Sequence, residues 1–265
     1  MTAHLRAHFR ELGAGPAVVC LHSNASTSGQ WRALMERLSG RFRVIAVDAY
    51  GAGKSPDWPP GTPGWLDDEL ALLDPLLGGL SEPFHLVGHS YGAAIALKAA
   101  LRHRGRVKSL ALYEPTLFAL LLARDPHHPA AQGIRDAAKD AAAAVARGDL
   151  DAAAERFIDY WMGAGTWSGM PQSRRAAVAP SMRGIAYWAH ALMNEPAPLC
   201  AFAQLDVPVL CLVGGRSPAS SRAVFALLEK VLPNLRVVRF DSLGHMGPVT
   251  HPDLVNEAIE KHLAA

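Results

Sequence analysis

The pentapeptide Gly88-His89-Ser90-Tyr91-Gly92 sets a serine between two glycines, where an apolar run gives way to a helical pattern. Glycines at those two sites permit a strand-to-helix turn too tight for side chains. Such a turn lifts the Ser90 hydroxyl above the strand ends, at a helix N-terminus where a developing oxyanion is favoured. An ordinary helix-capping serine is the plainer alternative, and the strand-then-helix context weighs against it. A serine hydroxyl needs a base to become a nucleophile. Gly244-His245-Met246-Gly247-Pro248 offers one, on a glycine-flanked loop between the last apolar run and a terminal helical pattern. His245 is expected to take the proton from Ser90 and to give it to the leaving group.

Other apparent motifs fail on spacing. Gly53-Lys54-Ser55 ends like a phosphate-binding loop, but Asp48 stands where the first glycine is required. Gly13-Ala14-Gly15 precedes a strand pattern instead of following one, so it is no dinucleotide fingerprint. His127 and His128 are adjacent and cannot share one metal as an i, i+4 helical pair would. No metal and no organic cofactor is therefore expected. His22 and His89 flank the site and are expected to hold loops rather than move protons. Arg216 and Arg222 read as a solvated face.

The elements that must position these residues alternate in type. Ala17–Leu21, Phe42–Val47, Phe84–Gly88, Val107–Tyr113, Val207–Val213 and Leu235–Phe240 read as strands. Their near-continuous apolar character suits a parallel sheet buried on both faces. His4–Glu11 is a candidate antiparallel edge strand. Helical patterns cover Ser28–Leu38, Trp65–Leu77, Tyr91–His103, Arg222–Leu232 and Asp253–Leu263, and Pro75 is expected to end the second of them early. The alternation predicts a doubly wound α/β fold with right-handed crossovers. Residues 116–204 break it: they are rich in alanine, show no strand, and carry Trp161, Trp167 and Trp188, half of the six tryptophans. A helical cap over the carboxyl edge of the sheet is the expected role, because ligands bind at that edge. The organisation is thus 1–115 and 205–265 as core, with 116–204 as cap. The three tryptophans are candidate pocket residues, although the insert's own core would use the same side chains.

Composition narrows the partners. With 50% hydrophobic residues over 265, the chain can bury a substantial core. A formal net charge of +2 offers no footprint for nucleic acid. No apolar run approaches the roughly 18 residues of a membrane span, and the charged N-terminus lacks a signal-type apolar stretch. Three scattered cysteines form neither a disulfide framework nor a zinc cluster. These features point to a small-molecule substrate, no nucleic-acid or membrane partner, and a reducing cytoplasm.

Taken together, LHSNASTSGQW, DAYGAGKS, GHSYGA, LVGGRSP and GHMGP make the whole chain resemble the α/β-hydrolase family. The resemblance implies a mostly parallel sheet flanked by helices, with a helical cap insertion. It implies an oxyanion hole made by the backbone N–H groups of Asn24 and Tyr91. Ser23 stands where that family usually has glycine, which brings its hydroxyl in as a further donor. The family's commonest acid is an aspartate after the penultimate strand, but this sequence has Ser217 in that loop. Some members carry the acid one strand earlier, where this chain has Glu114. The expected triad is Ser90, His245 and Glu114; Asp241 and a water-assisted dyad remain alternatives. A serine at position 90 argues against the branches that need a carboxylate nucleophile there. The expected activity is a carboxylesterase on small to medium apolar esters, working through an acyl-enzyme. A lactonase, a carbon–carbon bond hydrolase or a perhydrolase would use the same triad. A ligand receptor without catalysis is the rival from another class, prompted by Ser217.

Overall fold

The computed structural model describes residues 5–264. Seven strands form one sheet in the order β1-β3-β2-β4-β5-β6-β7. They are β1 (Phe9–Leu12), β2 (Ala17–Leu21), β3 (Arg43–Val47), β4 (Phe84–His89), β5 (Val107–Tyr113), β6 (Val209–Gly214) and β7 (Leu235–Phe240). Every pairing is parallel except β1 with β3. The edge strand β1 begins at Phe9, later than expected, and is exposed throughout; the expected start at His4 lies outside the described residues.

The inner strands are buried on both faces because successive side chains alternate sides. Val18 and Cys20 of β2 face a cluster with Trp31, Leu34, Leu38, Val255 and Ile259. Val19 and Leu21 face the opposite cluster with Leu70, Leu73, Ala93 and Leu97. The first cluster is closed by α1 (Arg32–Leu38) and α11 (Pro252–Leu263), the second by α2 (Leu66–Gly79) and α3 (Tyr91–Arg102). Each such aliphatic side chain removed from water contributes about 1.5–3 kcal/mol before entropy is counted.

Pro75 does not end α2, which runs on to Gly79. Pro75 and Ala71 lie on the solvent face, so the carbonyl that loses its donor is left to water. Leu72, Leu73 and Leu77 anchor the other face. Helix α9 (Ala219–Leu228) lies nearer the N-terminus than its expected range, starting directly after Pro218. Between β5 and β6 the chain is helical: α4 (Ala119–Leu122), α5 (Pro129–Ala146), α6 (Leu150–Met162), α7 (Gln172–Val178) and α8 (Ile185–Met193). Lys98 of α3 pairs with the buried Glu195 just after α8, tying this helical segment to the sheet. A short helix α10 (Gly247–Thr250) follows the loop that carries His245. Among the described residues no helix is long and apolar enough to cross a membrane.

Candidate active site

Ser90 occupies the junction of β4 and α3 with φ 56° and ψ −114°, a backbone region that costs about 1–3 kcal/mol for a residue with a side chain. Its neighbours hold it there. A Cβ on Gly92 would lie 2.2 Å from the Leu21 carbonyl oxygen, and one on Gly88 would lie 2.5 Å from the Ala93 Cα. Only glycine lets the turn approach β2 and α3 this closely. The Ser90 N–H donates to the Tyr113 carbonyl at 2.9 Å, which fixes the turn to β5.

Glu114 directly follows β5, also with positive φ (46°). Its side chain is fully buried and meets two donors. The Gly214 N–H donates to Oε1 at 2.7 Å, and His245 Nδ1 lies 2.6 Å from Oε2. His245 Nε2 lies 2.8 Å from Ser90 Oγ. The three side chains thus form one buried line from carboxylate to imidazole to hydroxyl. Asp241 is exposed, and no hydrogen bond joins it to His245. Ser217 is buried, and its Oγ has no partner.

Trp161 of α6 lies flat on His245, with ring centroids 3.9 Å apart and planes 23° apart. This indole keeps water from one face of the imidazole and holds the ring in its plane. On the other side, His89 Nε2–H donates to the His245 carbonyl at 2.8 Å, while Gln30 Nε2 donates to His89 Nδ1 at 3.2 Å. Burial, aided by the nearby His245, holds His89 well below the usual histidine range, so it is a neutral spacer. His22 is likewise buried and lowered; it accepts from the Ala49 N–H and donates to the Ser23 carbonyl. Both histidines hold loops.

The loop after β2 carries Ser23 and Asn24, two of the three residues expected as oxyanion donors. Ala25 adopts positive φ (56°), which bends the chain beside Ser90. The Tyr91 N–H opens α3 and has no acceptor within its own helix. Ser23 departs from expectation as a donor. Its N–H and its hydroxyl both donate to Gln30 Oε1, at 3.1 and 3.0 Å, so the hydroxyl proton is committed elsewhere. Behind the turn, the Tyr91 hydroxyl donates to the buried Glu69, whose other oxygen accepts from the Tyr50 N–H. Burial pushes the Glu69 carboxyl up to about 7 against these two hydrogen bonds. Asp48, where the phosphate-loop glycine would stand, instead organises its own turn. Burial pushes its carboxyl up, but hydrogen bonds from Ser28, His8 and Lys54 outweigh that and leave it lowered.

Two cavities reach Ser90. The outer one, about 100 Å³, is walled by Phe157, Ile158, Met162, Met170, Val178 and Val249, with Ser23, Asn24 and Ser26 along one side. Arg174 is the one lysine, arginine or carboxylate on its wall. A wider cleft of about 720 Å³ shares Ala25 and Ser26 with it. The inner cavity, about 20 Å³, lies behind Phe157 and Trp161 and is bounded by Asn24, Thr116, Phe118, Ile185 and Trp188. Of the three expected tryptophans, Trp161 lines both cavities and Trp188 the inner one. Trp167 lines neither. The Asp159 carboxylate accepts from the Gly165 and Trp167 N–H groups and folds that turn inward, so the Trp167 indole packs in the core. Phe157 and Arg174 were missed from sequence. Phe157 at least shares a helical face with Trp161 four residues later, a readable signal.

A serine on a strained strand-to-helix turn, facing an imidazole at a sheet's carboxyl edge, defines a class of hydrolytic site. Comparison with known proteins gives the family. A family profile described as alpha/beta hydrolase fold matches residues 16–252, and the chain belongs to that family. It is 29% identical over 261 residues to a pimeloyl-[acyl-carrier protein] methyl ester esterase of Chromobacterium violaceum, covering 95% of this chain and 96% of that one. A haloalkane dehalogenase of Agrobacterium fabrum is 36% identical over 114 residues, only 43% of this chain and 37% of that one. Among solved structures, a malate-bound thermophilic esterase of Thermogutta terrifontis matches with TM-score 0.76 at 26% identity, over 97% of this chain and 93% of that one. The sheet is mostly parallel with helices on both sides, as the family implies.

Proposed function

We propose that the protein is a serine carboxylesterase that works through an acyl-enzyme, with Ser90 as nucleophile, His245 as general base and acid, and Glu114 as the acid that holds His245. The single observation carrying this reading is the buried line of hydrogen bonds, 2.6 Å from Glu114 to His245 and 2.8 Å from His245 to Ser90. Ser90 Oγ attacks the ester carbonyl carbon as His245 Nε2 removes its proton. The N–H groups of Asn24 and Tyr91 receive the oxyanion. Collapse of the tetrahedral species breaks the carbon–alkoxide bond, and His245 hands its proton to the departing alcohol. Water then repeats the sequence, with His245 as base, to release the carboxylic acid and restore Ser90. Glu114 stabilises the imidazolium in both halves and fixes the tautomer with the proton on Nδ1.

The helical segment 116–204 serves in this reading as the cap that supplies the apolar walls of the substrate site. The mostly apolar lining suits small to medium apolar ester groups. Two relatives bear on the choice of ester chemistry: the Chromobacterium protein is named for a methyl ester, and the Thermogutta protein is an esterase. The test is pre-steady-state hydrolysis of 4-nitrophenyl butyrate, together with labelling by a fluorophosphonate. A stoichiometric 4-nitrophenol burst is expected, with one label on Ser90 that disappears in Ser90→Ala and falls steeply in His245→Ala. Correctly folded protein that neither turns over the ester nor takes the label would overturn the proposal in favour of a receptor.

A further inference from the structure

Two polar atoms beside Ser90 are buried and unpaired. Thr116 is completely buried and its Oγ1 has no hydrogen-bond partner; Asn24 Oδ1 is also shut off from solvent without a partner. Both residues border the inner cavity, and the rest of its wall is apolar apart from Ser90. A hydroxyl left unpaired in an apolar wall destabilises the fold, whereas valine of the same shape would not. The pair is thus a donor and acceptor set facing a space next to the nucleophile. That space is about 20 Å³, compared with roughly 10–15 Å³ needed for one water-sized group. It holds a single oxygen-sized substituent.

We propose that the inner cavity is a specificity subsite for the acyl half of the substrate. It takes the hydroxyl or keto oxygen borne by the carbon next to the ester carbonyl of a short acyl group. The proposal rests on the ester-hydrolase reading above. The assignment to the acyl half follows from access. The alcohol must leave and water must enter after the first step, and both use the outer cavity with its adjoining cleft. The acyl group stays bound to Ser90, so the oxygen it carries can rest in the chamber closed by Phe118, Ile185 and Trp188. Thr116 Oγ1–H donates to the substituent oxygen, and Asn24 Oδ1 accepts from a substrate hydroxyl. A site built around polar partners rejects an analogue that lacks the matching group more strongly than an apolar pocket rejects an added one.

The experiment compares benzyl lactate with benzyl isobutyrate, which differ by hydroxyl against methyl on that carbon, with benzyl acetate as a reference ester. The ratio of kcat/KM for lactate over isobutyrate is divided by the ratio for hydroxide-catalysed hydrolysis, which removes intrinsic reactivity. A corrected ratio of at least tenfold is expected for the wild-type protein. It should collapse to within threefold in Thr116→Val and survive in Thr116→Ser. The Tm of Thr116→Val should equal or exceed that of the wild type, because the unpaired hydroxyl is gone. An unchanged ratio in Thr116→Val, or a wild-type ratio near one, overturns the subsite while benzyl acetate turnover keeps the esterase reading. A marked drop in Tm for Thr116→Val also overturns it, since the hydroxyl would then have a structural partner. If no benzyl ester is hydrolysed at all, the esterase reading itself fails.

Discussion

Replacing Glu114 by glutamine preserves shape and removes charge, and the structure dictates which way the new amide must turn. The Gly214 N–H is a buried donor that needs an acceptor, so the amide oxygen takes the place of Oε1, 2.7 Å away. The amide nitrogen then faces His245 Nδ1, where the carboxylate oxygen sat at 2.6 Å. An N–H at that position selects the imidazole tautomer with its proton on Nε2, aimed at Ser90 Oγ, and the base is lost. Neutralising the acid of a serine triad costs about 10⁴ in kcat, or about 5.4 kcal/mol at about 1.36 kcal/mol per tenfold. Glu114→Gln should therefore lower kcat for 4-nitrophenyl butyrate by about four orders of magnitude with little change in Tm. Glu114→Ala should keep more turnover than glutamine does, since water at Nδ1 permits the right tautomer. It should lose about 1–3 kcal/mol of stability through the stranded Gly214 N–H. Adding Ser217→Asp to Glu114→Ala places a carboxylate in the loop after β6 and should recover at least tenfold of the lost rate. Steady-state kinetics and thermal melts on the four proteins check this. Turnover of Glu114→Gln within tenfold of wild type would refute the triad, and a similar loss in Asp241→Asn would move the acid to position 241.

Trp161→Leu removes the aromatic face over His245 and should cost about 1–2 kcal/mol of transition-state stabilisation, five- to thirtyfold in kcat, with a smaller change in KM; an effect on KM alone would count against it. Arg174→Gln should lower kcat/KM for esters with a free carboxylate several-fold more than for neutral esters, and added salt should shrink that difference. Glu69 binds its proton more tightly folded than unfolded, so its contribution to stability is lost as pH rises from about 4.5 through about 7. Glu69→Gln should gain up to about 3 kcal/mol on the wild type across that window, seen as a Tm difference that widens by several degrees from pH 5 to pH 8. A flat difference would show that Glu69 is not shifted.

The strands themselves and the turn at Ser90 were legible because they rest on short-range rules; the order of the strands in the sheet does not, and it entered only with the fold. Apolar runs of five to seven residues mark buried strands, and the glycines at 88 and 92 are demanded by atoms of Leu21 and Ala93. The nearness of Glu114 to His245 was expected in a different way, from the family resemblance: Ser217 cannot carry charge, and some members place the acid one strand earlier, although Asp241 stayed open until the structure placed Glu114 against His245. The walls of the cavities were readable only in part. Trp161 and Trp167 are six residues apart and equally apolar, yet one covers His245 and the other packs in the core, because Asp159 pulls the intervening turn inward. Ser23 looked like a free hydroxyl because nothing local marks Gln30 as its acceptor. Thr116 and Asn24 meet only through the tertiary fold, and the loss of a hydrogen-bond partner leaves no trace in sequence. Pro75 misled because the break it causes matters only when the freed carbonyl is buried.

The string Ser23–Gln30–His89–His245 joins the loop after β2 to the loop before α10. Gln30 spends its oxygen on Ser23 and its nitrogen on His89, so each position is correct only while the others keep their identities. A glycine at 23 would strip one donor from Gln30, a leucine at 30 would strand His89, and an altered 89 would release the His245 backbone. Drift at these three sites is therefore epistatic. A glycine at 23 would still offer its backbone N–H to Gln30, so that change is milder than one at 30, which breaks the string on both sides.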